Sequence, residues 1–81
     1  VRVNVLLFAR LRELAGASEF GCEVPAGATI QTVWQAAVAR YPALADFSAA
    51  VSCAKNEDFA RMTSPVADKD AIAFLPPVSG G

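Results

Sequence analysis

Thr29-Ile30-Gln31-Thr32-Val33-Trp34-Gln35-Ala36-Ala37-Val38-Ala39-Arg40-Tyr41-Pro42 is the stretch on which the fold turns. Its apolar side chains fall at Ile30, Val33, Trp34, Ala37, Val38 and Tyr41. Those offsets of 3, 4, 7, 8 and 11 place them on one stripe of a helix. Thr29 stands where an N-cap belongs, its hydroxyl accepting a first-turn N–H. Position 32 is Thr rather than Glu or Gln, so the capping box is incomplete. Pro42 disfavours helical geometry at Tyr41 and ends the helix there. The stripe reads as core packing rather than as a ligand site.

Working outward, the chain before this helix reads as a hairpin with a long connection. Over residues 2–9, Val3, Val5, Leu7 and Ala9 share one strand face, and Arg2, Asn4, Leu6 and Phe8 share the other. The first set is uniformly apolar and is expected to face the core, which leaves Leu6 and Phe8 as apolar groups on the outer side. Residues 10–15 suit a short helical turn ended by Gly16. Residues 19–24 form a second strand, with Phe20, Cys22 and Val24 on one face, before Pro25-Ala26-Gly27 breaks the pattern. After the helix, residues 43–50 are Ala-rich and suit a loose turn. Val51 to Lys55 is expected as a third strand, Asn56-Glu57-Asp58 as a turn, Phe59 to Met62 as a short fourth strand and Ala71 to Leu75 as the last. Asp68 and Asp70 form a carboxylate pair in principle, but with no other ligand near in sequence they read as a solvated turn.

The resulting order, β-β-α-β-β-β, predicts an α+β domain with one main helix packed on one face of a mixed sheet. With the first and last strands paired in parallel at its centre, this is the β-grasp, or ubiquitin-like, architecture. The expected organisation is a β-grasp domain over residues 1–75 and an extended, flexible C-terminal tail over residues 76–81.

Composition narrows the function classes. A chain of 81 residues is one domain and buries roughly 60–65 % of its unfolded surface. Apolar residues make up 54 % and charged residues 19 %, so some apolar surface is expected to stay exposed and mark a partner face. The net charge of −1, with no basic stripe, gives no footprint for nucleic acid. No apolar run reaches the roughly 20 residues that span a bilayer, and Arg2, Asn4 and Arg10 interrupt the N-terminal stretch, which does not read as a signal peptide. Cys22 and Cys53 fit no metal spacing and read as reduced, buried thiols of a cytoplasmic protein. There is no His, hence no Ser-His-Asp or Cys-His arrangement, and any catalyst is expected on another protein.

The last six residues, Pro76-Pro77-Val78-Ser79-Gly80-Gly81, carry the functional signal. Proline has no N–H to donate to a ladder, so the sheet must end at the pair, which also favours an extended course. Ser79-Gly80-Gly81 has no side chain able to join a core, and glycine lets backbone pass close to the walls of a narrow cleft. Such an arm suits delivery of its terminal carboxylate into another protein's active site. A free carboxylate is a poor electrophile and needs activation, for example as an acyl-adenylate, before a sulfur nucleophile can displace AMP.

The residues also carry a family likeness. Val3 to Leu14, the Ala54-Lys55-Asn56 segment and the run Asp70 to Gly81, above all its Phe-x-Pro-Pro-Val-Ser-Gly-Gly ending, resemble the small, sulfur-carrying subunit of molybdopterin synthase across essentially the whole chain. Lys55 stands where that family usually carries an apolar residue. The resemblance implies a cycle in which an ATP-dependent activating enzyme adenylates Gly81 and sulfur transfer makes it a thiocarboxylate. The loaded tail then donates sulfur to cyclic pyranopterin monophosphate inside the large synthase subunit. Gly80 would give slim, flexible reach. No bound cofactor or metal is implied; ATP is consumed by the activating enzyme. Leu6, Phe8, Phe59 and Leu75, with Pro76, Pro77 and Val78 leading into the tail, are the expected partner surface. The alternatives are a carrier for thiazole or cysteine synthesis, or a protein modifier joined through Gly81 to target lysines.

Overall fold

The computed structural model describes residues 1–77. Five strands form one mixed sheet: β1 Arg2–Leu7, β2 Glu19–Glu23, β3 Ser52–Lys55, β4 Asp58–Ala60 and β5 Ala71–Leu75, in the spatial order β2-β1-β5-β3-β4. Helix α1 spans Ala9–Ala15, α2 spans Ile30–Arg40 and a 3-10 helix spans Pro42–Phe47. The central β1–β5 pair is parallel, with Val5 opposite Ile72 and Leu7 opposite Phe74, and the other pairs are antiparallel. This is the expected β-grasp arrangement.

One face of the sheet is the core face. Val3, Val5 and Leu7 of β1, Phe20 and Cys22 of β2, Cys53 of β3, and Ile72 and Phe74 of β5 are buried there with Ile30, Val33, Trp34 and Ala37 of α2. The Trp34 and Phe74 rings meet edge to face, centroids 4.9 Å apart, and Trp34 Nε1 donates to Ser48 Oγ at 2.9 Å. At the sheet's β2 edge Phe20 and Tyr41 repeat the edge-to-face contact at 5.4 Å, with the Arg40 guanidinium 5.0 Å from the Phe20 centroid. Leu11 of α1 and Leu44 of the 3-10 helix complete this layer. Cys22 and Cys53 are free and buried, and burial raises the pKa of both thiols.

Several local expectations change. β1 stops at Leu7; Phe8 is the N-cap of α1, and Ala9 is an exposed helical residue with φ +51° rather than a core residue. Gly16 ends α1 in the left-handed region, φ +71°, so its N–H reaches the Arg12 carbonyl at 2.9 Å. Thr29 is the N-cap of α2, but its side chain makes no capping bond. A tertiary contact replaces it: Ile30 N donates to the Ser64 carbonyl and Gln31 N to that of Met62, both at 2.9 Å. Residues 43–50 contain most of the 3-10 helix, because Leu44 is drawn into the core. β3 starts at Ser52, and β4 is Asp58–Ala60 rather than Phe59 to Met62. Lys55 pairs with Asp58 across a tighter turn, Asn56-Glu57, in which both residues have positive φ.

That turn is clamped to the start of β5. Asn56 Nδ2 donates to Asp70 Oδ1 at 2.9 Å, Asn56 Oδ1 accepts from Ala71 N at 2.9 Å, and Asn56 N donates to the Ala71 carbonyl at 2.8 Å. Asp70 Oδ2 accepts from Ala67 N at 2.8 Å. The bond from Asn56 and then that from Ala67 hold the Asp70 carboxyl below its ordinary pKa. Asp68 Oδ1 instead accepts from Arg2 N at 2.8 Å, so the two acids serve separate strands.

Trp34→Ala should lower the unfolding free energy by about 3–5 kcal/mol, read from urea denaturation, because it empties the centre of the core. A depressed carboxylate pKa contributes stability that is full above the unfolded value and lost as pH falls through the folded one. Asp70→Asn should therefore flatten the acid limb of stability, compared by urea midpoints at about pH 6 and about pH 3.

Candidate functional site

The sheet face opposite α2 is where the outward residues collect. Cross-strand partners run in one row over four strands: Leu6 of β1 faces Ala73 of β5, Ala73 faces Ala54 of β3, and Ala54 faces Phe59 of β4. Two alanines in the middle and a larger apolar side chain at each end make a trough. Leu6, Phe8, Phe59 and Leu75 form its walls, Ala54, Ala71 and Ala73 its floor, and Glu57 stands on its rim, around a volume of about 320 Å³. Phe59 is 85 % exposed and Phe8 44 %, large values for aromatic rings on a folded domain.

Each wall has a local cause. Leu6 alternates with the buried Val5 and Leu7, and Leu75 follows the buried Phe74, so the two-residue period turns both outward. Phe8 leaves the strand as the α1 N-cap, with extended backbone (φ −120°, ψ 154°) and its N–H on the Phe74 carbonyl at 3.3 Å, which holds it beside the end of β5. Phe59 lies on a three-residue edge strand, and among the described residues no strand pairs with its outer side.

Four of the expected partner residues, Leu6, Phe8, Phe59 and Leu75, are thus brought together around one trough. Pro76 is half-buried and Pro77 exposed directly after Leu75, and neither lines the trough. Val78, Gly80 and Gly81, and with them most of the expected tail, lie outside the described residues. The alanine floor and Glu57 were not expected from sequence. The floor had a legible signal: in Ala71-Ile72-Ala73-Phe74-Leu75 the large residues alternate with small ones, so one face of the strand is full and the other low. Among the described residues no group of three or more His, Cys, Asp or Glu is placed to hold a metal, and no helix is long and apolar enough to cross a membrane.

Residues 5–81 match the ThiS family, a span that runs from the first strand through the diglycine. The chain belongs to the ThiS family. Among relatives, this ThiS-family chain is 37 % identical over 81 residues to the molybdopterin synthase sulfur carrier subunit of Arabidopsis thaliana, covering 100 % of this chain and 84 % of that protein. It is 35 % identical over 81 residues to the protein of the same name in Escherichia coli, covering 98 % of this chain and 99 % of that one. The crystal structure of H. volcanii small archaeal modifier protein 1 has the same fold, with a TM-score of 0.89 at 28 % identity over 96 % of this chain and 99 % of that one.

Because its ring packs on nothing in the core, Phe59→Ser should change the unfolding free energy by less than about 0.5 kcal/mol, measured by thermal or urea unfolding. Ile72→Ser, on β5 and facing α2, should be severely destabilising in the same assay.

Proposed function

We propose that the chain is the sulfur carrier of molybdopterin synthesis, working through the carboxylate of Gly81. The observation that carries this reading is the family match, which extends without a break from the body of the domain to Gly80-Gly81, together with full-length relatives that bear the sulfur carrier name. In the proposed cycle an activating enzyme uses ATP to convert the Gly81 carboxylate to an acyl-adenylate, releasing pyrophosphate. A sulfide-level nucleophile, formally HS−, attacks the acyl carbon, the C–O bond to AMP breaks, AMP leaves with the bonding electrons, and a thiocarboxylate remains. That thiocarboxylate donates its sulfur to cyclic pyranopterin monophosphate in the large synthase subunit. The chain's own residues bind and present; the reacting groups besides the terminal acyl carbon belong to the partners. A cytoplasmic location belongs to the same reading.

The trough gives the proposal a docking face. It lies beside the end of β5, where Leu75 hands the chain to Pro76 and Pro77. A partner that covers it is therefore positioned to receive the residues that follow. Burial of such apolar surface contributes roughly 25 cal/mol per Å², before the entropy of association is subtracted. A second reading, a modifier joined through Gly81 to lysines, is favoured by the likeness to the archaeal modifier protein. High-mass conjugates of a tagged chain in cell extract, lost on deletion of Gly80-Gly81, would mark it.

Incubation with the cognate activating enzyme, ATP and a sulfur donor should give the intact chain a mass gain of one sulfur-for-oxygen exchange. One residue added after Gly81 should abolish that gain; unchanged loading would remove the requirement for a carboxylate on Gly81. Leu75→Asp should weaken binding to the large synthase subunit at least about tenfold by calorimetry while the domain stays folded.

A further inference from the structure

Glu57 is the one charged residue that lines the trough among the described residues, and it occupies a position that disfavours it. With φ +76° it lies in the left-handed region, as second residue of a two-residue hairpin turn where glycine is the usual occupant. Asn56, at φ +51°, tolerates that region and uses its amide to clamp the turn to Asp70 and Ala71. Glu57 makes no such contribution. Among the described residues its carboxylate takes part in neither ion pair, Arg2–Glu23 or Arg10–Glu13, and Lys55, two residues before it, directs its Nζ to the Pro65 carbonyl at 3.0 Å. A strained residue that holds a free charge on the rim of an apolar surface points to an interaction with another molecule.

The position of that charge along the trough is informative. β3 runs antiparallel to β5, with Ser52 opposite Leu75 and Lys55 opposite Ile72. The turn after Lys55 therefore lies at the start of β5, and the exit toward Pro76 lies at the other end. An apolar trough alone has no preferred direction for what fills it. One carboxylate at the end remote from the exit supplies one.

We propose that Glu57 is a specificity-determining residue of the docking face. It meets a Lys or Arg at one end of the apolar segment with which the partner protein fills the trough, and so sets which end of that segment reaches Pro76-Pro77. The inference rests on the docking reading above and adds to it the charge and the direction of the partner. A second copy of this chain is a poor occupant, since among the described residues no cation lines the trough to meet the carboxylate it would bring.

The test is association of the recombinant large subunit of molybdopterin synthase with the full chain and with Glu57→Gln, Glu57→Gly and Phe59→Ala, at low and at physiological salt. Glu57→Gln removes the charge and keeps the strained backbone; Glu57→Gly removes both. Both should lower the association rate roughly three- to tenfold at low salt, flatten its salt dependence and leave dissociation nearly unchanged. Glu57→Gly should also melt at a higher temperature than the native chain. If Glu57→Gln associates like the native chain with the same salt dependence while Phe59→Ala weakens binding, the orienting charge is refuted and the docking face stands. Unchanged binding by Phe59→Ala would refute the docking face itself. Sedimentation of the chain alone should show a monomer; a dimer that Phe59→Ala disperses would give the trough to a second copy and overturn the proposal.

Discussion

The parallel pairing of β1 with β5 joins the two ends of the described chain at the centre of the sheet, and the other elements are arranged around it. Parallel neighbours need a crossover between them, and here nearly the whole domain is that crossover. Its register sets Val5 against Ile72 and Leu7 against Phe74, one continuous apolar surface onto which Trp34 packs. The same register sets Leu6 against Ala73 on the opposite side. A slip of one residue would exchange the two faces, so the buried aromatic contact and the outer trough are specified by the same hydrogen bonds.

The two faces differ in residue size rather than simply in polarity. On the α2 side the central strands present Val, Leu, Ile and Phe, which fill the space beneath the helix. On the outer side β1 presents Arg2 and Asn4 at one end, and the trough beside them has Ala71, Ala73 and Ala54 as its floor, with larger apolar groups at its walls. Alanines at the centre of an exposed face keep a depression that a partner's side chains can enter. They also limit the apolar area left in water when no partner is present. The face lies beside the end of β5, and the residues proposed to carry sulfur follow two prolines later.

The polar contacts serve placement. Asn56 and Asp70 tie the β3–β4 turn to the first residue of β5, so the rim that carries Glu57 and Phe59 is held against the floor it borders. Both residues of the turn have positive φ, and only Asn56 is of a type that tolerates it well. Within this hairpin, local preference and observed conformation part at Glu57, as they do elsewhere at Ala9 and Lys69, which also have positive φ; what sets Glu57 apart is its place on the rim of the trough.

Sequence patterning was enough for the elements with a clear period. The 3.6-residue stripe from Ile30 identified α2, the two-residue alternation identified β1 and β5 and turned Leu6 and Leu75 outward, and the proline pair marked the end of the sheet. Those features are local, because each depends only on which face a given spacing presents. What the sequence left undecided were contacts between distant segments. The cap of α2 came from Ser64 and Met62 rather than from Thr29, Leu44 ordered a 3-10 helix in an Ala-rich stretch, and the hairpin tightened to two residues once Asn56 could reach Ala71. The trough itself belongs to this second class. Leu6, Ala73, Ala54 and Phe59 sit on four strands, and no spacing along a chain states that they are neighbours; hydrogen-bond register across the sheet does.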